Sequence, residues 1–201
     1  MEVLVRVLCL GSDSSRISSI LSDHEVVKYV EPLDVNAVKE LSPDLILSYG
    51  YKHIIPEQIL SEVKWNAINM HISLLPWNKG SDPNFWSWIE GTPKGVSIHW
   101  ITSGLDKGPL VAQREVPLSA EDSLRVTYGI LHDEICNLLD ENWKSIESGY
   151  APAINQVLRG SYHRRSDMQA HQSVLARGWD TPCHQLEQYG LEQNLRHPLN
   201  N

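Results

Sequence analysis

The first fifty residues alternate short apolar runs with helical segments, and this rhythm restricts the chain more than any other feature. Residues 3–10 (VLVRVLCL) are almost continuously apolar, as in a strand buried on both faces of a parallel sheet. The polar turn Gly11-Ser12-Asp13-Ser14 follows, with side chains suited to capping a helix that starts near Ser15. Strand candidates at 24–30 (HEVVKYV) and 44–50 (DLILSYG) flank a helix candidate, DVNAVKEL. A βαβαβ order with short connections implies an α/β chain with an open, mostly parallel, doubly wound, Rossmann-like sheet.

The pattern continues with a helix over PEQILSEV, Pro56 lying in its first turn, where a missing N–H is harmless. A further central strand spans 66–70 (NAINM) and ends at His71. Ligands of open α/β sheets bind beyond the carboxyl ends of strands, so Tyr49-Gly50-Tyr51 and Asn69-Met70-His71 stand where a site is expected. A long loop leads to a helix near Pro83. The alternating runs VSIHWI (96–101) and LVAQREVPL (110–118) then read as an antiparallel pair joined by a loop carrying Asp106. From Glu121 to Ser148, apolar residues at Leu124, Tyr128, Leu131, Ile135, Leu138 and Ile146 recur at helical spacing, and Gly149 ends the helix. Residues 150–201 are rich in His, Gln, Asn and Arg with little apolar period, which divides the chain into a main domain, 1–149, and a small C-terminal appendage or tail, 150–201. The tail is a candidate dimer arm or a partly unstructured segment, loosest over its last dozen residues.

Bulk properties exclude several classes. No run of about 18 apolar residues exists, so no membrane span is expected, and the N-terminus reads as a buried strand rather than a signal peptide. Cys9, Cys136 and Cys183 form no CxxC pair; scattered single thiols suit a reducing cytoplasm. The formal net charge is −8, which disfavours nucleic acid as a partner. No HExxH and no clustered His/Cys spacing is present, so no metal is expected. No GxSxG elbow is present either.

The segment from Asn69 to Pro109 holds the densest set of unusual residues. Asn69-Met70-His71-Ile72-Ser73-Leu74-Leu75-Pro76, then Gly80, then Gly95-Val96-Ser97-Ile98-His99, then Asp106-Lys107-Gly108-Pro109 resembles the folate-dependent formyltransferases in order and spacing. That family includes glycinamide ribonucleotide, methionyl-tRNA and nucleotide-sugar N-formyltransferases. The resemblance covers roughly residues 44–125 and implies the formyltransferase type of Rossmann-like sheet.

The resemblance makes Asn69, His71 and Asp106 the catalytic residues, and elementary chemistry agrees. Formyl transfer to an amine builds charge on an oxygen, which donors at Asn69 and His71 can stabilise. Asp106 can hold the imidazole charged and help remove the proton of the attacking amine. Asn69 and His71 are two apart on a strand, so both leave the same face. His99 matches a family position but receives no chemical role; a packed, hydrogen-bonded histidine is expected. The resemblance also implies 10-formyltetrahydrofolate as cofactor, held by Ser48, Tyr49, Gly50, Tyr51 and Ile54 and by Ile101 and Gly104.

Departures from the family narrow the acceptor. One glycine in Gly11-Ser12-Asp13-Ser14-Ser15 lacks the richer phosphate loop of the purine enzyme, and the acidic chain lacks the basic second domain of methionyl-tRNA formyltransferases. The loop from Pro76 to Trp86 resembles that of the sugar enzymes. The resemblance therefore implies an acceptor that is a nucleoside-diphosphate amino sugar, with Trp77, Lys79, Gly80, Asn84, Tyr162 and Arg164 as its binding residues. Glycinamide ribonucleotide or a small amine as acceptor, hydrolysis of formyltetrahydrofolate, and an inactive folate- or nucleotide-binding module are the alternatives.

Overall fold

A computed structural model describes residues 4–11, 15–64, 67–157 and 159–197. The expected cap at Ser12–Ser14 lies outside the described residues. The chain divides into two compact units, neither continuous in sequence: residues 1–71, 98–112 and 136–156 form one, and 72–97, 113–135 and 157–201 the other. Of residues 150–201, 150–156 belong to the first unit and 157–201 to the second.

The first unit begins with β1 (Arg6–Gly11), α1 (Ser15–Ile20), β2 (Glu25–Tyr29), α2 (Val35–Leu41), β3 (Leu45–Tyr49), α3 (Glu57–Leu60) and β4 (Ala67–His71). β1 pairs in parallel with β2 and with β3, and β3 with β4. All five residues of β3 are buried, and all but Ser48 are apolar or aromatic, as a strand covered on both faces favours. Leu8, Leu10, Ile46, Ile59 and Ala67 form one core with Leu33, Val38 and Val63. Asp34 caps α2 by accepting the Ala37 N–H at 2.8 Å. α3 stops at Leu60, short of the expected Val63. There the Glu62 N–H turns to Ile59 O, a bond of 3.0 Å that spans three residues and tightens the chain out of the α-helix.

β5 (Lys79–Gly80), α4 (Pro83–Ile89), β6 (Gly95–Trp100), β7 (Leu110–Glu115), α5 (Leu124–Glu147), β8 (Tyr162–His163) and α6 (Cys183–Glu192) complete the order. The main sheet runs β2-β1-β3-β4-β6-β7, and β5 and β8 form a separate parallel pair. Trp100 N–H bonds Pro109 O at 2.9 Å and Val116 N–H bonds Lys94 O at 2.9 Å, so β6 and β7 run in opposite directions, as expected. The Ile101 N–H bonds Ala67 O at 2.8 Å, which sets the start of β4 beside the end of β6. Beyond β7, Leu110 and Ile154 exchange backbone bonds of 2.7 and 2.9 Å in an antiparallel bridge. The mixed, mostly parallel sheet with helices is the Rossmann-like architecture anticipated.

Gly149 ends α5 with φ +74, donating to Ile146 O while Tyr150 N–H reaches back to Ser145 O, each at 3.0 Å. A Cβ in this left-handed conformation is unfavourable by about 1 kcal/mol. Gly149→Ala is therefore expected to lower the Tm by about 2–4 °C in thermal unfolding, and an unchanged Tm would mean that the helix end rearranges freely.

The tail holds more structure than its composition suggests. Within the second unit, 3₁₀ segments cover Asp167–Leu175 and Gly178–Asp180. The fully buried Cys183 and Leu186 pack with Phe85, Trp86, Trp88, Ile89 and Leu124. Two-residue strands and 3₁₀ turns leave no long apolar period, so this order is hidden from periodicity.

Candidate active site

Asn69 and His71 alternate along β4, and the chain between β6 and β7 brings Asp106 back to them. His71 and Asp106 are 7% and 6% exposed, so they meet in a water-poor setting. Asn69 Nδ2 donates to Asp106 Oδ1 at 3.3 Å. His71 Nε2 stands 3.7 Å from Asp106 Oδ2, an ion-pair separation rather than a hydrogen bond. Contacts this long can shorten when a reactant enters. The three expected catalytic residues are therefore brought together.

His99 joins them, which sequence reasoning missed. Its Nε2 lies 3.3 Å from Asp106 Oδ1 and 3.3 Å from Asn69 Nδ2. Its Nδ1 lies 2.9 Å from Trp100 O, a group that can accept but not donate, so Nδ1 carries the hydrogen. A neutral His99 then accepts from Asn69 through Nε2, and a protonated one donates to Asp106. Either state has a partner, and the carboxylate is flanked by two imidazoles. The signal available beforehand was the alternation in β6, which sends Ser97 and His99 to the same side.

The loop that presents Asp106 is tightly held. Asp106 has φ +51, a left-handed conformation that Asp and Asn tolerate better than most residues. A Cβ on Gly108 would come within 1.7 Å of Trp100 O, so only glycine lets the chain pass so close to β6. Gln156 closes the loop from the far side, donating to Asp106 O at 2.9 Å and Gly108 O at 2.8 Å. No pattern in the sequence singles out this glutamine.

The residues expected to hold a cofactor lie in the same unit with unequal exposure. Ser48 and Tyr49 are buried at the end of β3, while Gly50, at φ +64, is exposed. A Cβ on Gly11 would come within 2.3 Å of Tyr49 O and 2.6 Å of Tyr51 N, so the ends of β1 and β3 are in close contact. The Tyr51 hydroxyl donates to Glu31 O at 2.6 Å and accepts from Leu33 N–H at 3.0 Å, and burial raises its pKa. Ile54 is 85% exposed. Ile101 packs against the β-sheet core, and Gly104 lies half-buried, its carbonyl accepting the Lys107 N–H at 3.3 Å.

The residues expected to bind an acceptor belong to the second unit, where several are engaged internally. Trp77 is buried, its ring edge-on to His197 at 4.4 Å. Lys79 is buried with Nζ donating to Pro76 O at 3.0 Å. Asn84 is buried and its amide donates to Leu124 O and to Thr127 Oγ1. Gly80, at φ +89, would set a Cβ 2.1 Å from His163 O. Tyr162 and Arg164 are exposed.

Around them runs a polar network. Asn78 and Ser161 donate to Glu90 Oε2 at 2.9 and 2.7 Å, and Thr92 donates to Asn78 Oδ1 at 2.7 Å. His163 Nε2 stands 2.9 Å from Glu90 Oε1, close but out of line for a hydrogen bond. The His163 ring stacks on Trp86 at 3.8 Å with a 6° tilt. This network fixes the turn around β5 and β8.

A family model described as formyl transferase matches residues 23–140, more than half of the chain. The chain belongs to the formyl transferase family. Among curated members, the methionyl-tRNA formyltransferase of Clostridioides difficile (strain 630) is 35% identical over 134 residues, covering 64% of this chain and 42% of that protein. The chain thus spans less than half the length of the curated formyltransferases it matches. A solved structure, the formyltransferase PseJ from Anoxybacillus kamchatkensis in complex with UDP-4,6-dideoxy-4-formamido-L-AltNAc and tetrahydrofolate, is 42% identical with a TM-score of 0.87. It covers 92% of this chain and 99% of that one. Rv3404c of Mycobacterium tuberculosis is 28% identical, with a TM-score of 0.73 over 83% of this chain and 78% of that one. No described helix of this formyl transferase family member is long and apolar enough to cross a membrane.

Proposed function

We propose that this chain transfers the formyl group of 10-formyltetrahydrofolate to the amine of a nucleoside-diphosphate-linked amino sugar. The observation that carries the reading is the gathering of half-buried Asn69 with buried His71 and Asp106, Asn69 standing 3.3 Å and His71 3.7 Å from one carboxylate, in a chain of the formyl transferase family. Likeness to PseJ over nearly the whole of both chains supports the sugar acceptor, because that enzyme was solved in complex with a UDP-linked formamido sugar and tetrahydrofolate. The net charge of −8 weighs against a tRNA acceptor.

In this reading the folate supplies the formyl carbon, and the protein's groups do the rest. The amine attacks that carbon, and Asn69 and His71 donate to the oxygen as it gains charge. Asp106 orients His71 and takes up the proton that the amine releases. As the bond from the formyl carbon to the folate nitrogen breaks, His71 can return a proton to that nitrogen. The burial of both groups makes these interactions stronger than they would be in water. Backbone of Ser48, Tyr49, Gly50, Tyr51 and Ile54 with Ile101 and Gly104 is the proposed folate-binding surface. Exposed Tyr162 and Arg164 are proposed to meet the nucleotide sugar, with Trp77, Lys79, Gly80 and Asn84 shaping the loop beneath.

The test is an assay of purified protein with 10-formyltetrahydrofolate and a panel of UDP- and dTDP-linked amino sugars, reading tetrahydrofolate by absorbance and the formamide product by mass. Turnover with one nucleotide family is expected, and Asn69→Ala and His71→Ala should each lower it by about 100-fold or more. Release of formate without acceptor, or transfer to methionyl-tRNA with none to any sugar, would overturn the choice of acceptor.

A further inference from the structure

The segment that follows α5 returns to the Asp106 loop and is tied to it at successive points. Trp100 Nε1 donates to Pro152 O at 2.8 Å, and Ile154 bridges Leu110 through both backbone bonds. Gln156 then spends its amide hydrogens on the carbonyls of Asp106 and Gly108, at 2.9 and 2.8 Å. Both neighbours are acceptors, so the amide can point only one way: reversed, it would set its own oxygen against two others. Its Oε1 is buried without a hydrogen-bond partner among the described residues. An unmatched buried acceptor is unfavourable, and such an arrangement is kept where the orientation of the group matters more than its satisfaction.

From this geometry we infer that Gln156 is a positioning residue for the transfer reaction, a two-point clamp that fixes the direction of the Asp106 carboxylate. The inference rests on the reading of Asp106 as a catalytic group. Asp106 lies at φ +51, outside the conformations that non-glycine residues prefer, and its carboxylate must meet His71, His99 and Asn69 at once. Gly108 against Trp100 O blocks one direction of movement, and Gln156 restrains rotation of the Asp106–Lys107 and Gly108–Pro109 peptides. Without the clamp the loop can relax, and the carboxylate turns away from the imidazoles. Displacement of a catalytic group by about 1 Å lowers turnover by up to about 100-fold.

Gln156→Ala and Gln156→Glu in the full chain separate this role from bulk stability. The alanine variant should remain folded by thermal unfolding and lose about 10- to 100-fold in kcat, with KM for folate and acceptor nearly unchanged. The glutamate variant carries a further signature. As a carboxylate it has no hydrogen for either carbonyl; protonated, it regains one of the two bonds. Its kcat relative to the native chain should therefore climb as pH falls from about 8 to about 5.5, while the alanine variant shows no such recovery. Native turnover in both variants, or a loss of kcat that merely follows a fall in Tm, would overturn the clamp. If the native chain transfers no formyl group at all, amide hydrogen exchange over 101–110 still decides. Faster exchange in Gln156→Ala with the rest unchanged supports the clamp, and unchanged exchange refutes it.

Discussion

Asp106→Asn is expected to lower formyl transfer by about 1,000-fold while leaving the chain folded. The substitution keeps the side-chain size, and Asn accepts the φ +51 of this position as readily as Asp, so the backbone has no reason to shift. What disappears is the charge. The Asn69 amide at 3.3 Å then faces an uncharged partner, and His71 loses the carboxylate at 3.7 Å that orients it. The amine also loses its proton acceptor. The proposed role gives this carboxylate a part in the chemical step rather than in binding, so the loss should fall on kcat and spare KM. Asp106→Ala is the weaker experiment, since alanine is strained at this φ and a folding defect would mimic a chemical one. Steady-state kinetics with a thermal melt of the same sample checks the expectation. Turnover of Asp106→Asn within a factor of ten of the native chain would remove Asp106 from the reaction.

The largest effect on stability is expected at Trp86. The ring is 3% exposed, stacks on His163 at 3.8 Å and meets Phe85 edge-on at 5.2 Å. Trp86→Ala removes the stack and opens a cavity beside Phe85, at a loss of about 3–5 kcal/mol, which corresponds to roughly 10 °C in Tm. Trp86→Phe should lose far less. The indole N–H is buried without a hydrogen-bond partner among the described residues, so no bond is broken, and an aromatic face remains for His163. Two variants of nearly equal Tm would show that the stacked ring is not what holds this part of the second unit.

The sequence was most readable where one physical constraint governs a whole segment. β1 lies between β2 and β3 and reads as a nearly unbroken apolar run, and α5 shows its helical period because one side of it is buried and the other is not. Asn69 and His71 stand out because two polar side chains share a face at the end of a strand, where burial of polar groups needs a reason. The rest depends on contacts between distant residues, which a linear pattern does not encode. His99 reads as an ordinary packed histidine until Asp106 is placed 3.3 Å from it. Gln156 lies 50 residues from the loop it holds. The pairing of Lys79-Gly80 with Tyr162-His163 involves two residues on each side, too few to show alternation. Trp77, Lys79 and Asn84 lie in a stretch rich in polar residues that composition alone would place in solvent, yet each is buried against a partner within the second unit.

The bridge between Leu110 and Ile154 has a consequence for how the molecule behaves in company. β7 is the last strand of the sheet, and an outer strand offers unmatched N–H and C=O groups to any neighbouring chain able to pair with them. Ile154 occupies the start of that strand, and charged Arg114, bonded to Glu134 at 3.1 Å, marks its far end. At the opposite border, β2 carries Glu25 and Lys28. Both rims of the sheet are thus poor templates for aggregation. Because residues 152–156 both pair with the first residue of β7 and reach the Asp106 loop, detaching them would free backbone groups at the strand's start at the same moment as it loosened the loop.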